Sequence, residues 1–181
     1  MFNIINIIKP FFESPNREFN VREIARILKI APATASKELK NLKNESLLKE
    51  RKDRNFNFYR ADMESEYYRD LKFFYNIRKI KESGFIDSLN KYYLKPTIIL
   101  FGSSSHGMDT ETSDFDFLIL SEKIKDFPES NHFEKKLNRK IQIFIVKDIK
   151  DLKNDHLINN ILNGIVLQGE IKWIWMNVIR M

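Results

Sequence analysis

The chain has 181 residues, of which 43% are hydrophobic and 15 are Phe, with 31 basic residues against 25 acidic and no cysteine. That much apolar material offsets the entropy of ordering the chain and excludes extensive disorder. The missing thiols exclude disulfides, thiolate catalysis and sulfur-ligated zinc, in keeping with a reducing cytoplasm.

Ile4, Ile5, Ile8, Phe11 and Phe12 repeat at the spacing of one helical face and predict a first helix ending near Ser14-Pro15. Asn6, Lys9 and Pro10 interrupt this stretch. It is too short to span a bilayer and lacks a small-residue cleavage site, so nothing in it targets a membrane. Asn20 followed three residues later by Glu23 reads as a capping-box variant. Val21, Ile24, Ala25 and Leu28 then predict a second helix closing around Lys29. Pro32 suits the first turn of a third, whose buried stripe is Ala35, Leu39 and Leu42 and whose opposite face carries Thr34, Ser36, Lys37 and Lys40. Beyond Leu47-Leu48, a turn at Asp53-Arg54-Asn55 precedes alternation in Phe56, Asn57, Phe58 and Tyr59, which predicts a β-hairpin.

Two helices, a tight turn and a following hairpin make a winged helix-turn-helix, expected over residues 1–62. The run from Val21 to Arg26 and on through Ala35 to Leu42 resembles the bipartite core of archaeal and bacterial winged-helix regulators. Between Lys37 and Arg60 there are eight basic residues and four acidic ones, so most of the chain's net charge of +6 lies there. In that reading Thr34, Ser36, Lys37 and Lys40 meet the major groove of double-stranded DNA, and Arg51, Lys52 and Arg54 meet phosphates. A solvated lysine-rich face on a protein-docking module is the plainer alternative.

Residues 63–94 are expected to form a helical connector. Around Leu71, Phe74, Tyr75 and Arg78 apolar side chains fall on more than one helical face, and Gly84 separates this helix from a second run, Phe85 to Leu94. Tyr67, Tyr68, Phe73 and Phe74 read either as interdomain packing or as the seam of a homodimer.

The remaining residues, 95–181, open with the apolar, β-branched run Thr97 to Phe101, a buried strand that ends at Gly102-Ser103. The chain continues Ser104-Ser105-His106-Gly107, then five residues, then Ser113-Asp114-Phe115-Asp116. Gly-Ser, ten residues and Asp-x-Asp in this order are similar to the signature of the minimal nucleotidyltransferases of the DNA polymerase β superfamily. On a strand, Asp114 and Asp116 share one side while Phe115 and Phe117 enter the core, so the two carboxylates can share magnesium.

The resemblance implies that Gly102 and Ser103 seat the triphosphate of a nucleoside triphosphate, ATP being the first expectation, next to Ser113. It implies Mg2+ as the metal held by Asp114 and Asp116. His106 stands where relatives commonly carry Arg, and reads either as a phosphate contact or as a solvent-facing loop residue. The strand Lys140 to Val146 alternates Ile141, Ile143 and Ile145 with Gln142, Phe144 and Val146. The family's third carboxylate falls on this strand, and Gln142 occupies the matching position.

Competing phosphate motifs are missing, because no Gly precedes Lys-Ser or Lys-Thr and the five glycines form no dinucleotide fingerprint. Leu157 to Leu162 predicts a helix, Gly164 to Leu167 a short closing element, and Ile171, Ile174, Trp175, Val178 and Ile179 an amphipathic last helix with Trp173 off its stripe.

The expected fold class is α/β in the α+β sense. It has two domains, a winged helix-turn-helix followed by a small mixed-sheet nucleotidyltransferase domain, and so resembles an archaeal-type fusion of the two. Two functions follow from the resemblance. One is a DNA-binding regulator that transfers a nucleoside monophosphate to a hydroxyl of a protein or small-molecule acceptor, in the manner of antitoxin-like relatives. The other is a domain that has lost turnover and serves as a nucleotide sensor.

Overall fold

A computed structural model describes residues 4–171, which form seven helices and two sheets. The chain divides into two compact units, Met1–Tyr75 with Gly107–Thr112, and Asn76–His106 with Ser113–Met181.

In the first unit α1 (Ile4–Glu13) precedes the two-residue strand β1 (Phe19–Asn20) and α2 (Val21–Leu28). Asn20 starts α2 as its spacing predicts, its Oδ1 accepting from the Glu23 amide at 2.9 Å. Lys29 ends α2 in the left-handed region at φ 55°. α3 (Pro32–Asn44) begins on Pro32, whose missing N–H leaves no donor unsatisfied there. Its buried residues are Ala35, Leu39 and Leu42. β2 (Leu48–Asp53) and β3 (Phe56–Ala61) pair antiparallel with Asp53 opposite Phe56, and Arg54 turns the chain at φ 52°. The three strands run in the order β1-β3-β2. Ile7, Ile8, Phe11 and Phe12 of α1, Ile24 of α2, Leu39 and Leu42 of α3, and Tyr59 and Tyr68 close one core.

α4 (Glu66–Glu82) follows, and the division between the units falls inside it. Tyr68 lies in the first core and donates its hydroxyl to the Phe11 carbonyl at 2.9 Å, whereas Tyr67 and Phe74 are about half exposed.

The second unit contains α5 (Phe85–Tyr93), β4 (Thr97–Phe101), a 3-10 turn (Ser103–His106), β5 (Phe115–Leu120), α6 (Ser130–Leu137), β6 (Ile141–Val146), α7 (Asp155–Leu162) and β7 (Ile165–Gln168). The sheet order is β6-β5-β4-β7, with β5 and β6 parallel and the other pairs antiparallel. Period-two alternation sends Phe115, Phe117 and Ile119 into a core with Phe85, Leu89, Phe133 and Leu137. Ile99, Phe101 and Leu118 go to the opposite core, with Ile149 and Ile161. Asp116 is in step with Leu118 and pairs with Phe101, and therefore emerges on that second side of the sheet.

No helix among the described residues is long and apolar enough to cross a membrane. The amphipathic last helix and Trp173 expected from the sequence lie outside the described residues.

Candidate active site

β4 delivers the chain into a turn whose backbone favours a residue without a side chain. Gly102 adopts φ 72°, and a Cβ there would stand 2.5 Å from Oδ2 of Asp116. The missing side chain lets a carboxylate close directly onto the turn. Ser105 ties the turn shut, its hydroxyl donating to the Gly102 carbonyl at 2.7 Å and its amide to the same oxygen at 3.2 Å. Ser103 stays partly open and His106 is exposed. The Ser104 hydroxyl is fully buried and has no hydrogen-bond partner among the described residues.

β5 brings the carboxylates. Asp116 pairs with Phe101 of β4 on one side and with Gln142 of β6 on the other. Side chains at paired positions of neighbouring strands share a face, so Gln142 and Asp116 project from the same side of the sheet. Asp114 lies two residues away, just ahead of β5, and is exposed, whereas Asp116 is half-buried. Burial, and after it the charge of Asp114, push the Asp116 carboxyl above the usual carboxylate range.

The arrangement suits a divalent cation in its donor set: two neighbouring carboxylates, one of them carrying a repulsion that a cation would relieve, with an amide oxygen next to them. A third acid is missing from it. No group of three or more His, Cys, Asp or Glu side chains able to hold a metal occurs among the described residues.

Arg139 supports the strand from below. It is 8% exposed, donates Nη1 to the Ser113 carbonyl at 3.2 Å, and lies over the Phe115 ring, 5.3 Å from its centroid. Both neighbours of Asp114 are thereby held. Sequence reasoning missed Arg139, because an Arg just ahead of a strand carries no periodic signal.

The architecture and the turn-to-carboxylate geometry agree with a comparison against known families, in which a nucleotidyltransferase domain matches residues 82–174, just over half of the chain. The chain belongs to the nucleotidyltransferase domain family. The matched segment contains Gly102, Ser103, His106, Ser113, Asp114, Asp116 and Gln142 and begins only at the last residue of α4. Transfer of a nucleoside monophosphate is the activity class that membership gives. No curated protein matches the chain.

The other residues singled out in the sequence lie in the first unit. Lys37 and Lys40 are exposed on α3, and Thr34 and Ser36 beside them are partly buried. Lys52 and Arg54 are exposed on the hairpin. Arg51 is also exposed, but its guanidinium is engaged by Glu18 through Nε at 2.9 Å and Nη2 at 2.7 Å, and it packs over Phe58 at 4.9 Å. The hydrogen bond from Arg51 holds the Glu18 carboxyl below its usual range.

Proposed function

We propose that the chain is a DNA-binding regulator whose second unit transfers a nucleoside monophosphate from a nucleoside triphosphate, ATP by preference, to a hydroxyl of a protein or small-molecule acceptor. The observation that carries the reading is the contact of the Gly102 turn with Asp116, with Asp114 two residues along. Gly102 and Ser103 seat the phosphates, with His106 and Ser113 at the edges of that seat. Asp114 and Asp116 hold Mg2+, which when bound offsets the charge that develops on the phosphates. The acceptor oxygen bonds to the α-phosphorus, the bond from that phosphorus to the bridging oxygen breaks, and pyrophosphate leaves with the electron pair. The acceptor proton passes to solvent water, because the Gln142 amide does not accept a proton near neutral pH.

A second reading takes its support from Gln142 beside Asp116: the domain binds the nucleotide, turns it over slowly or not at all, and reports its presence. Labelled ATP with magnesium and candidate acceptors separates the two, read against Asp114→Ala with Asp116→Ala. Label on the acceptor with the unaltered protein alone supports transfer. ATP affinity without label supports sensing, and neither affinity nor label removes both.

For the first unit the reading is a winged helix-turn-helix that binds double-stranded DNA, in a cytoplasmic setting, with a homodimer matching a two-fold site. Its support is the pair Lys37 and Lys40 on α3 together with the exposed Lys52 and Arg54 on the hairpin. Affinity for duplex DNA should fall with rising salt, since neutralised phosphates release counterions. Salt-independent binding, or none, would remove this part.

A further inference from the structure

The buried stripe of α4 is polar at its centre. Tyr68, Lys72, Asn76 and Ile80 recur every four residues and are 0%, 0%, 2% and 0% exposed. A buried ammonium persists only where it is paired and hydrogen-bonded. Here the partner is Asp109, whose Oδ2 lies 3.5 Å from Nζ with both side chains fully buried. The same ammonium also donates to the main-chain carbonyl of Asp109. Side chain and backbone of one residue are therefore held by a single group.

Two residues earlier, Gly107 takes φ 65°, and a Cβ there would collide with the backbone carbonyl of Arg69 and approach the Phe73 amide nitrogen to 3.0 Å. Gly107–Thr112 accordingly belong to the first unit, together with the amino-terminal part of α4. Yet this stretch is the connection between the two halves of the site. Gly107 is four residues beyond Ser103, and Asp109 is five before Asp114. Within the second unit Asn76, the next polar residue of the stripe, donates Nδ2 to the Ser104 carbonyl at 3.2 Å.

We propose that Lys72 is a positioning residue for nucleotidyl transfer: by holding Asp109 it fixes the span that joins the Gly102-Ser103 turn to Asp114, and so sets the affinity for a nucleoside triphosphate. The proposal rests on the reading of that site given above. Lys72 lies outside the segment that matches the nucleotidyltransferase family, and its role is exerted through Asp109. An apolar pair of similar volume would cover the same surface, but only the ion pair and its carbonyl bond specify one register for the loop.

The test uses the full chain, Mg2+ and ATP, with affinity read by calorimetry and loop order read by amide hydrogen exchange over residues 103–114. Lys72→Met is expected to raise the ATP dissociation constant about tenfold or more, as small misplacements of binding groups do. Exchange over 103–114 should quicken while β5 and α3 keep their protection. Lys72→Met with Asp109→Leu removes both buried charges and serves if the single variant does not fold; it should recover stability without recovering affinity. ATP affinity unchanged in either variant, or restored in the double variant, would overturn the proposal while leaving the site intact. An unaltered protein that binds no ATP would instead remove the site reading and this proposal with it.

Discussion

α3 and α4 bury one face each, and they do it by different chemistry. α3 hides Ala35, Leu39 and Leu42, an apolar stripe whose spacing announces both the helix and its inward side. α4 hides Tyr68, Lys72, Asn76 and Ile80 and leaves Tyr67 and Phe74 about half exposed. An apolar stripe says only that a face is covered, whereas a buried ammonium and amide say what covers it: a carboxylate, and carbonyls that need donors. The contrast teaches that α3 is a packing element with an open polar face, and that α4 is built to hold particular backbone positions.

The largest effect expected from this contrast is at Lys72. Truncation by Lys72→Ala leaves the Asp109 carboxylate buried without its ammonium, and the cost is about 3–5 kcal/mol of stability, to be measured by urea unfolding. Replacing both partners together, Lys72→Met with Asp109→Leu, should return most of it. A double variant no more stable than the single one would show that the pair is not what holds this region. Leu39→Ala in α3 should cost about 2–5 kcal/mol through lost burial and the cavity left behind, and it should leave ATP affinity where it was. Should Leu39→Ala weaken ATP binding as much as Lys72→Met does, the distinction between the two helices collapses.

Much of the first unit was legible because its signals are local. The Asn20 cap, Pro32 at a helix start, the α3 stripe and the turn at Asp53-Arg54-Asn55, which the pairing of Asp53 with Phe56 narrows to Arg54-Asn55, each involve neighbours within a few residues. The signature from Gly102 to Asp116 was legible for another reason: a strand, a side-chain-free turn and a second strand must come in that order to bring a carboxylate onto the turn. Gln142 was reached through the family resemblance, and β6 pairs it with Asp116 of β5. What periodicity could not show was the buried side of α4, because Lys72 and Asn76 read as solvent-facing in any hydrophobic pattern. Asp109 was hidden likewise, as an acid in a polar loop whose partner is 37 positions away.

Smaller effects sharpen the account of the first unit. Asn20→Ala removes the acceptor for the Glu23 amide and should cost about 1 kcal/mol, visible as a modest drop in the unfolding midpoint. On the hairpin, Arg51 already commits its guanidinium to Glu18, so Arg51→Ala should lower affinity for duplex DNA less than Lys52→Ala with Arg54→Ala does. Filter binding across a salt series reads both, and the paired variant should also flatten the salt slope. An Arg51→Ala loss equal to or larger than that of the paired variant would mean that Arg51 leaves Glu18 for phosphate when DNA binds.

The central claim is that Asp116 against the Gly102 turn, with Asp114 two residues before it, takes up a metal-bound nucleotide. Calorimetric titration of ATP with and without Mg2+ tests it most directly, comparing the unaltered chain with Asp114→Asn and Asp116→Asn combined. Magnesium-dependent affinity in the unaltered chain that vanishes in the variant is the result predicted here. Equal affinity in both proteins, or affinity indifferent to magnesium, would contradict it.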